Sequence, residues 1–133
     1  MEQDRADSYR PTTGMAEEAR RGLKWREEFG RGGTRVGAIR ANQLANREPI
    51  SAETVKRMAS YFARHEVDKK GEGFSPGEKG FPSAGRIAWA LWGGDAGQSW
   101  ANKIAGQLKE DKFMDEPLMY RSVNLNREAV DEE

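Results

Sequence analysis

Apolar residues recur along much of this chain at intervals of three and four, the spacing that lines one face of an α-helix. Between Met15 and Phe29, Met15, Ala19, Gly22 and Leu23 fall near one face, with Trp25 and Phe29 four apart beside them. Gly30, followed closely by Gly32 and Gly33, supplies the left-handed stop that helix ends favour. Thr34 is placed to cap a second helix through about Ala45, with Val36 and Ile39 on one face and Leu44 closing it. Ser51 caps a third, in which Val55, Met58, Ala59 and Phe62 follow the i, i+3, i+4, i+7 pattern. Glu53 stands in its favourable first turn, and Ile50 ahead of the cap with Val55 at the fourth helical position matches a hydrophobic staple.

A fourth, shorter helix is expected after Ser83, with Ile87, Ala88 and Leu91 inward and Gly93 and Gly94 ending it. Asp95 then reads as the cap of a fifth, with Gln98 three residues on completing a capping-box pattern before the stripe Trp100, Ile104 and Leu108. Strand signals are scarce. The pattern predicts an all-α domain of about five short helices over residues 15–110, flanked by extended arms at residues 1–14 and 111–133.

Between the third and fourth helices the pattern breaks into a stretch rich in glycine and proline, GEGFSPGEKGFPS. Such a stretch is ordinarily solvent-exposed connector. Here it carries Phe74 and Phe81 and runs directly into Trp89 and Trp92. Large aromatics left in water would form an adhesive patch, so an ordered loop is expected, with Phe62, Phe74, Phe81, Trp89, Trp92 and Trp100 as the structural core.

Composition narrows the function. Charged residues make up 33% of the 133, enough for one modest core beneath a solvated surface. The longest apolar run, Ile87 to Trp92, is too short to cross a bilayer, and Met1 to Asp4 leads into no apolar leader segment, so a soluble protein is expected. There are no cysteines, which excludes disulfides, thiolate nucleophiles and cysteine metal sites. The formal net charge is zero, yet the central body is mildly basic and both ends are acidic. Acidic ends compete with phosphate for a basic surface and work against tight nucleic-acid binding.

His65 is the single histidine. Its string HEVD lacks the second histidine four residues on that a helical zinc site uses, so no metal is expected and the ring reads as a cation at the end of the third helix. Glu66 and Asp68 are expected to pair with nearby basic residues. Glu72 and Glu78 read as solvated loop charges, and the glycine clusters as helix stops with no Walker pattern. No GxSxG elbow is present and no cysteine can act as a nucleophile, and an enzyme, a cofactor and a bound metal are all left out of the expected function. Arg35, Arg40, Arg47, Lys56, Arg57 and Arg64 lie along helices two and three and mimic a helix-turn-helix reader, although Pro49 stands in the connection where a tight glycine turn is usual.

The strings MAEEARRGLKWREEFGRGGTRVG, MASYFARHEVDKKGEGFSPGEKGFPSAGRIAWALWGGDAG and SWANKIA resemble a small helical module of tailed-bacteriophage head-assembly proteins, seen alone and joined to prohead proteases, a resemblance that covers about Pro11 to Leu108. The resemblance brings no catalytic residues with it. It implies a virion structural protein, made in the host cytoplasm, that binds the major capsid protein as a decoration or cement protein and forms a dimer or trimer there. On that reading the arms carry the contacts: Tyr9 and Pro11 at one end, and Phe113, Met114, Leu118, Met119, Tyr120, Val123 and Leu125 at the other. The alternatives are a head-associated DNA-binding or packaging accessory and, third, a small metal-dependent enzyme centred on His65.

Overall fold

The computed structural model of the protein describes residues 8–115, with side chains described through residue 110. Local chemistry sets the helix boundaries. Thr12 accepts a hydrogen bond from the Met15 amide and opens α1 (Thr13–Phe29), which Gly30 closes in the left-handed conformation. Thr34 caps α2 (Arg35–Ala45) by accepting from the Gly37 amide. Ser51 and Ser83 do the same for α3 (Ala52–His65) and α4 (Ala84–Leu91). Each hydroxyl satisfies one of the amides that a helix start leaves without a partner. The fifth helix, α5 (Gly94–Asp115), is the longest, and the result is a compact all-α bundle of five helices.

Three short elements complete it among the described residues. Ser8–Tyr9 (β1) and Ile50–Ser51 (β2) form an antiparallel ladder, with Tyr9 opposite Ile50. A single 3-10 turn, Glu66–Lys70, continues from the end of α3.

α1 packs on α2 and α4, while α3 packs on α5. The core is shared by all five helices, with Met15 and Ala19, Leu44, Met58 and Phe62, Leu91, and Ala101 all buried. The α1–α4 seam is unusually close. A Cβ at Gly22 would stand 2.8 Å from the Leu91 backbone nitrogen, so only glycine lets the two backbones approach this far. Just past α1, Gly32 has a φ of 100° and leaves no room for a side chain against Ile87, whose Cβ lies 2.5 Å from the point a Cβ would occupy. Beside the seam, Arg86 reaches Glu18 at 2.7 Å with both side chains mostly buried, and its guanidinium lies over the Trp25 ring at 4.9 Å.

Several expectations change. The body begins before Met15: Pro11 is fully buried and Tyr9 packs partly buried against the core. Arg47, at φ 51°, donates from Nε to the Pro11 carbonyl at 2.8 Å, and Arg10 donates to the Arg47 carbonyl at 2.7 Å, which fixes this segment to the α2–α3 turn. At the other end the helix continues past Glu110 to Asp115, so Phe113 and Met114 lie on α5. Leu118, Met119, Tyr120, Val123 and Leu125 lie outside the described residues.

Val36 and Ile39 do not face inward; they are 53% and 49% exposed. Leu44 is buried, but beside it α2 buries Gly37 and Ala41, because α1 and α4 approach it from the side of its small residues. Phe29 is exposed too, with the Arg31 guanidinium over its ring. Nor does Asp95 cap α5, which begins one residue earlier at Gly94; the carboxylate accepts from the Trp89 indole N–H at 2.9 Å and pairs with Lys69 at 3.1 Å. Gln98 donates to Glu66 rather than completing a capping box.

The glycine- and proline-rich loop has fixed structure. Glu78, expected to be a solvated charge, accepts from the amides of Gly73 at 2.8 Å and Ser75 at 3.2 Å. Phe74 meets the Trp89 ring edge-on at 6.1 Å, and Phe81 meets Trp25 at 5.5 Å. Of the six aromatics assigned to the core, Phe62 and Trp89 are buried, while Phe74, Phe81, Trp92 and Trp100 are half-buried.

Candidate functional site

A groove of about 810 Å³ runs between α2, α3 and α4, within the range of ligand-binding clefts. Its sides are set by helix geometry. From α3 the outward positions Glu53, Lys56, Arg57, Ser60 and Arg64 form one wall, while the start of α2 brings Thr34 and Val36 to the other. Ala84, Gly85, Ala88 and Trp92 supply an apolar floor.

The floor is braced by aromatic stacking. Trp92 lies on Tyr61 with centroids 4.5 Å apart and planes within 9°, and His65 stacks on Tyr61 at 4.5 Å. The Arg40 guanidinium lies over the Trp92 ring at 5.6 Å, and cation–π contact of this kind is favourable beside a partly desolvated indole. Side chains from three helices thus form one ladder, which fixes the position of each rung.

Charge in the groove is unevenly compensated. His65 Nδ1 approaches Asp68 Oδ2 at 3.2 Å, and the same carboxylate packs against Gly85 at the start of α4, where a helix N-terminus favours negative charge. Glu53 stands in the first turn of its own helix and is favoured in the same way. Both carboxylates are therefore accommodated by helix termini. Lys56, Arg57 and Arg64 have no carboxylate partner among the described residues. Burial, and secondarily the charge of the neighbouring Arg57, push the Arg40 pKa down.

Two buried polar atoms of this region lack partners among the described residues, the Tyr61 hydroxyl and Arg40 Nε. Tyr61 is only 5% exposed. Burial, with Asp68 adding to it, pushes its hydroxyl well above the usual tyrosine range, so it remains an O–H donor at any physiological pH.

Sequence reasoning singled out Lys56, Arg57 and Arg64 as cations, and the structure brings them to this groove with Arg40 beside it. Arg47 goes elsewhere, into the turn described above. Tyr61 escaped notice, since an aromatic directly before Phe62 in a periodic helix reads as core; its spacing four residues before His65 was the available signal. His65 is engaged with Tyr61 and Asp68, and among the described residues no three metal-ligating side chains converge. None of the described helices is long and apolar enough to cross a membrane. No family model, curated protein or solved structure matches the chain.

Proposed function

We propose that this chain is a docking protein of the phage head, which binds assembled capsid subunits as a decoration or cement protein and reinforces the contacts between them. The observation that carries the docking half of this reading is the groove, with an apolar floor, fixed aromatic rungs and a cationic wall that the described part of the molecule does not neutralise. Such a combination suits the surface of another protein, where an apolar centre is ringed by polar contacts. Ile39, exposed on α2 three residues on from Val36 of the groove wall, extends the apolar area beyond the groove. The resemblance of the motif strings to head-assembly modules suggests the setting.

The test is sedimentation of the purified protein with intact, DNA-free heads. Near-stoichiometric recovery in the head fraction is expected, and recovery no greater than that of an unrelated protein would end the reading. The cations of α3 favour one competitor, a head-associated DNA-binding accessory. Its signature is duplex affinity that falls steeply with salt and disappears in Arg57→Glu. Micromolar, strongly salt-dependent duplex binding at physiological salt would replace the capsid reading with that one.

A further inference from the structure

We propose that the groove between α2, α3 and α4 receives an acidic peptide segment of a partner protein, one that carries carboxylates on either side of an apolar side chain. This rests on the docking reading above and adds the site and the chemistry of what it takes.

Charge is the first argument. Lys56, Arg57 and Arg64 share one wall without a carboxylate partner among the described residues, while Glu53 and Asp68 are engaged at helix N-termini. A ligand carboxylate would supply the missing partner and relieve the repulsion between Arg57 and Arg40. Hydrogen bonding is the second. The Tyr61 hydroxyl is a donor more than nine-tenths buried, with no acceptor among the described residues, on a residue that lines this groove. Leaving such a group unsatisfied is unfavourable, and an acceptor on the ligand would relieve it. The third is shape and polarity. Ala88 and Trp92 on the floor, with Val36 on the wall beside them, give the groove an apolar lining that suits a side chain between the charges.

These features favour a peptide over nucleic acid. A polyphosphate backbone laid along the wall would pass Glu53 and Asp68 and be repelled by both. A peptide can place its carboxylates at the cations alone and its apolar group on the floor.

The experiment uses the whole chain and a fluorescein-labelled peptide, Glu-Asp-Glu-Leu-Phe-Asp-Glu-Glu, followed by anisotropy. Saturable binding is expected, weakened about tenfold or more by Arg57→Glu with Arg64→Glu, as for loss of close charge pairs. Both residues are exposed, and circular dichroism checks that the double variant folds; the milder Arg57→Gln should weaken binding in the same direction. Tyr61→Phe should weaken it several-fold without lowering the melting temperature of the unliganded protein, a split that a purely structural role for Tyr61 would not give. A probe with Gln and Asn in place of its acids should fail to bind, and one with Ser in place of Leu and Phe should bind more weakly.

Equal affinity of the acidic probe for wild type and the double variant would overturn the proposal, as would tighter binding of a labelled oligothymidylate than of the peptide. Sedimentation with heads separates the two readings. Peptide binding by a protein that ignores heads removes the phage setting and leaves the groove assignment standing. Full head binding by the double variant keeps the setting and overturns the groove as the docking site.

Discussion

Trp89 meets Phe62 at 4.9 Å and Phe74 at 6.1 Å, each edge-on, while its indole N–H reaches Asp95. Truncation to alanine removes both the ring contacts and the donor, and is expected to cost about 3–5 kcal/mol in urea unfolding, a large part of what a domain of this size has. Trp89→Phe keeps a ring and should cost less. Burial tends to raise the Asp95 pKa, but the hydrogen bonds from Lys69 and Trp89 outweigh it and hold the carboxyl below its ordinary value. A carboxylate depressed in the folded state contributes stability above its unfolded pKa of about 4, and that contribution is lost as pH falls through the lower folded value. Wild-type stability should therefore fall below about pH 4 more steeply than that of Asp95→Asn; parallel acid profiles would remove Asp95 from the account. At Gly22 the added methyl of Gly22→Ala meets backbone rather than a movable side chain. A loss of about 1–3 kcal/mol is expected by thermal melting, even though alanine is the better helix former.

Among the elements, the loop before α4 depends on one carboxylate. Glu78→Gln keeps the shape and removes the charge that draws two amides together, so hydrogen exchange at Gly73 and Ser75 should quicken and stability fall by about 1 kcal/mol. Unchanged exchange at both amides would show that backbone geometry alone holds the loop. The caps Thr34, Ser51 and Ser83 could be read in the chain because each acts on an amide three residues away, a distance that needs no knowledge of the rest of the fold. Asp95 carries the same local signal, yet a tryptophan six residues earlier competes for it and Gly94 starts the helix first. For α2, periodicity alone did not show which face its neighbours would cover, and the small residues Gly37 and Ala41 won because close approach favours them. The groove was the least legible feature. Its walls come from segments distant in sequence, and the cations of α3 acquire a shared role only when α2 and α4 are set beside them.

Across the whole molecule, the helices draw most of their support from the shared core, whereas β1 is held by a ladder of two residues on each strand and by the Arg10 and Arg47 bonds to carbonyls. This small ladder joins positions more than forty residues apart, so it can form only after α1 and α2 have brought them together. Segments with few buried contacts open at a lower free energy than the core that they cover. The β1 segment should therefore release and rebind many times for each global unfolding. Chymotrypsin cleavage after Tyr9 at low denaturant would count those openings, because it should proceed well before the helical signal falls, and Arg47→Ala should speed it. The ladder thus acts as a latch with its own equilibrium: when it lifts, the backbone edge at Ile50, just ahead of the α3 wall, becomes able to pair with a strand from outside.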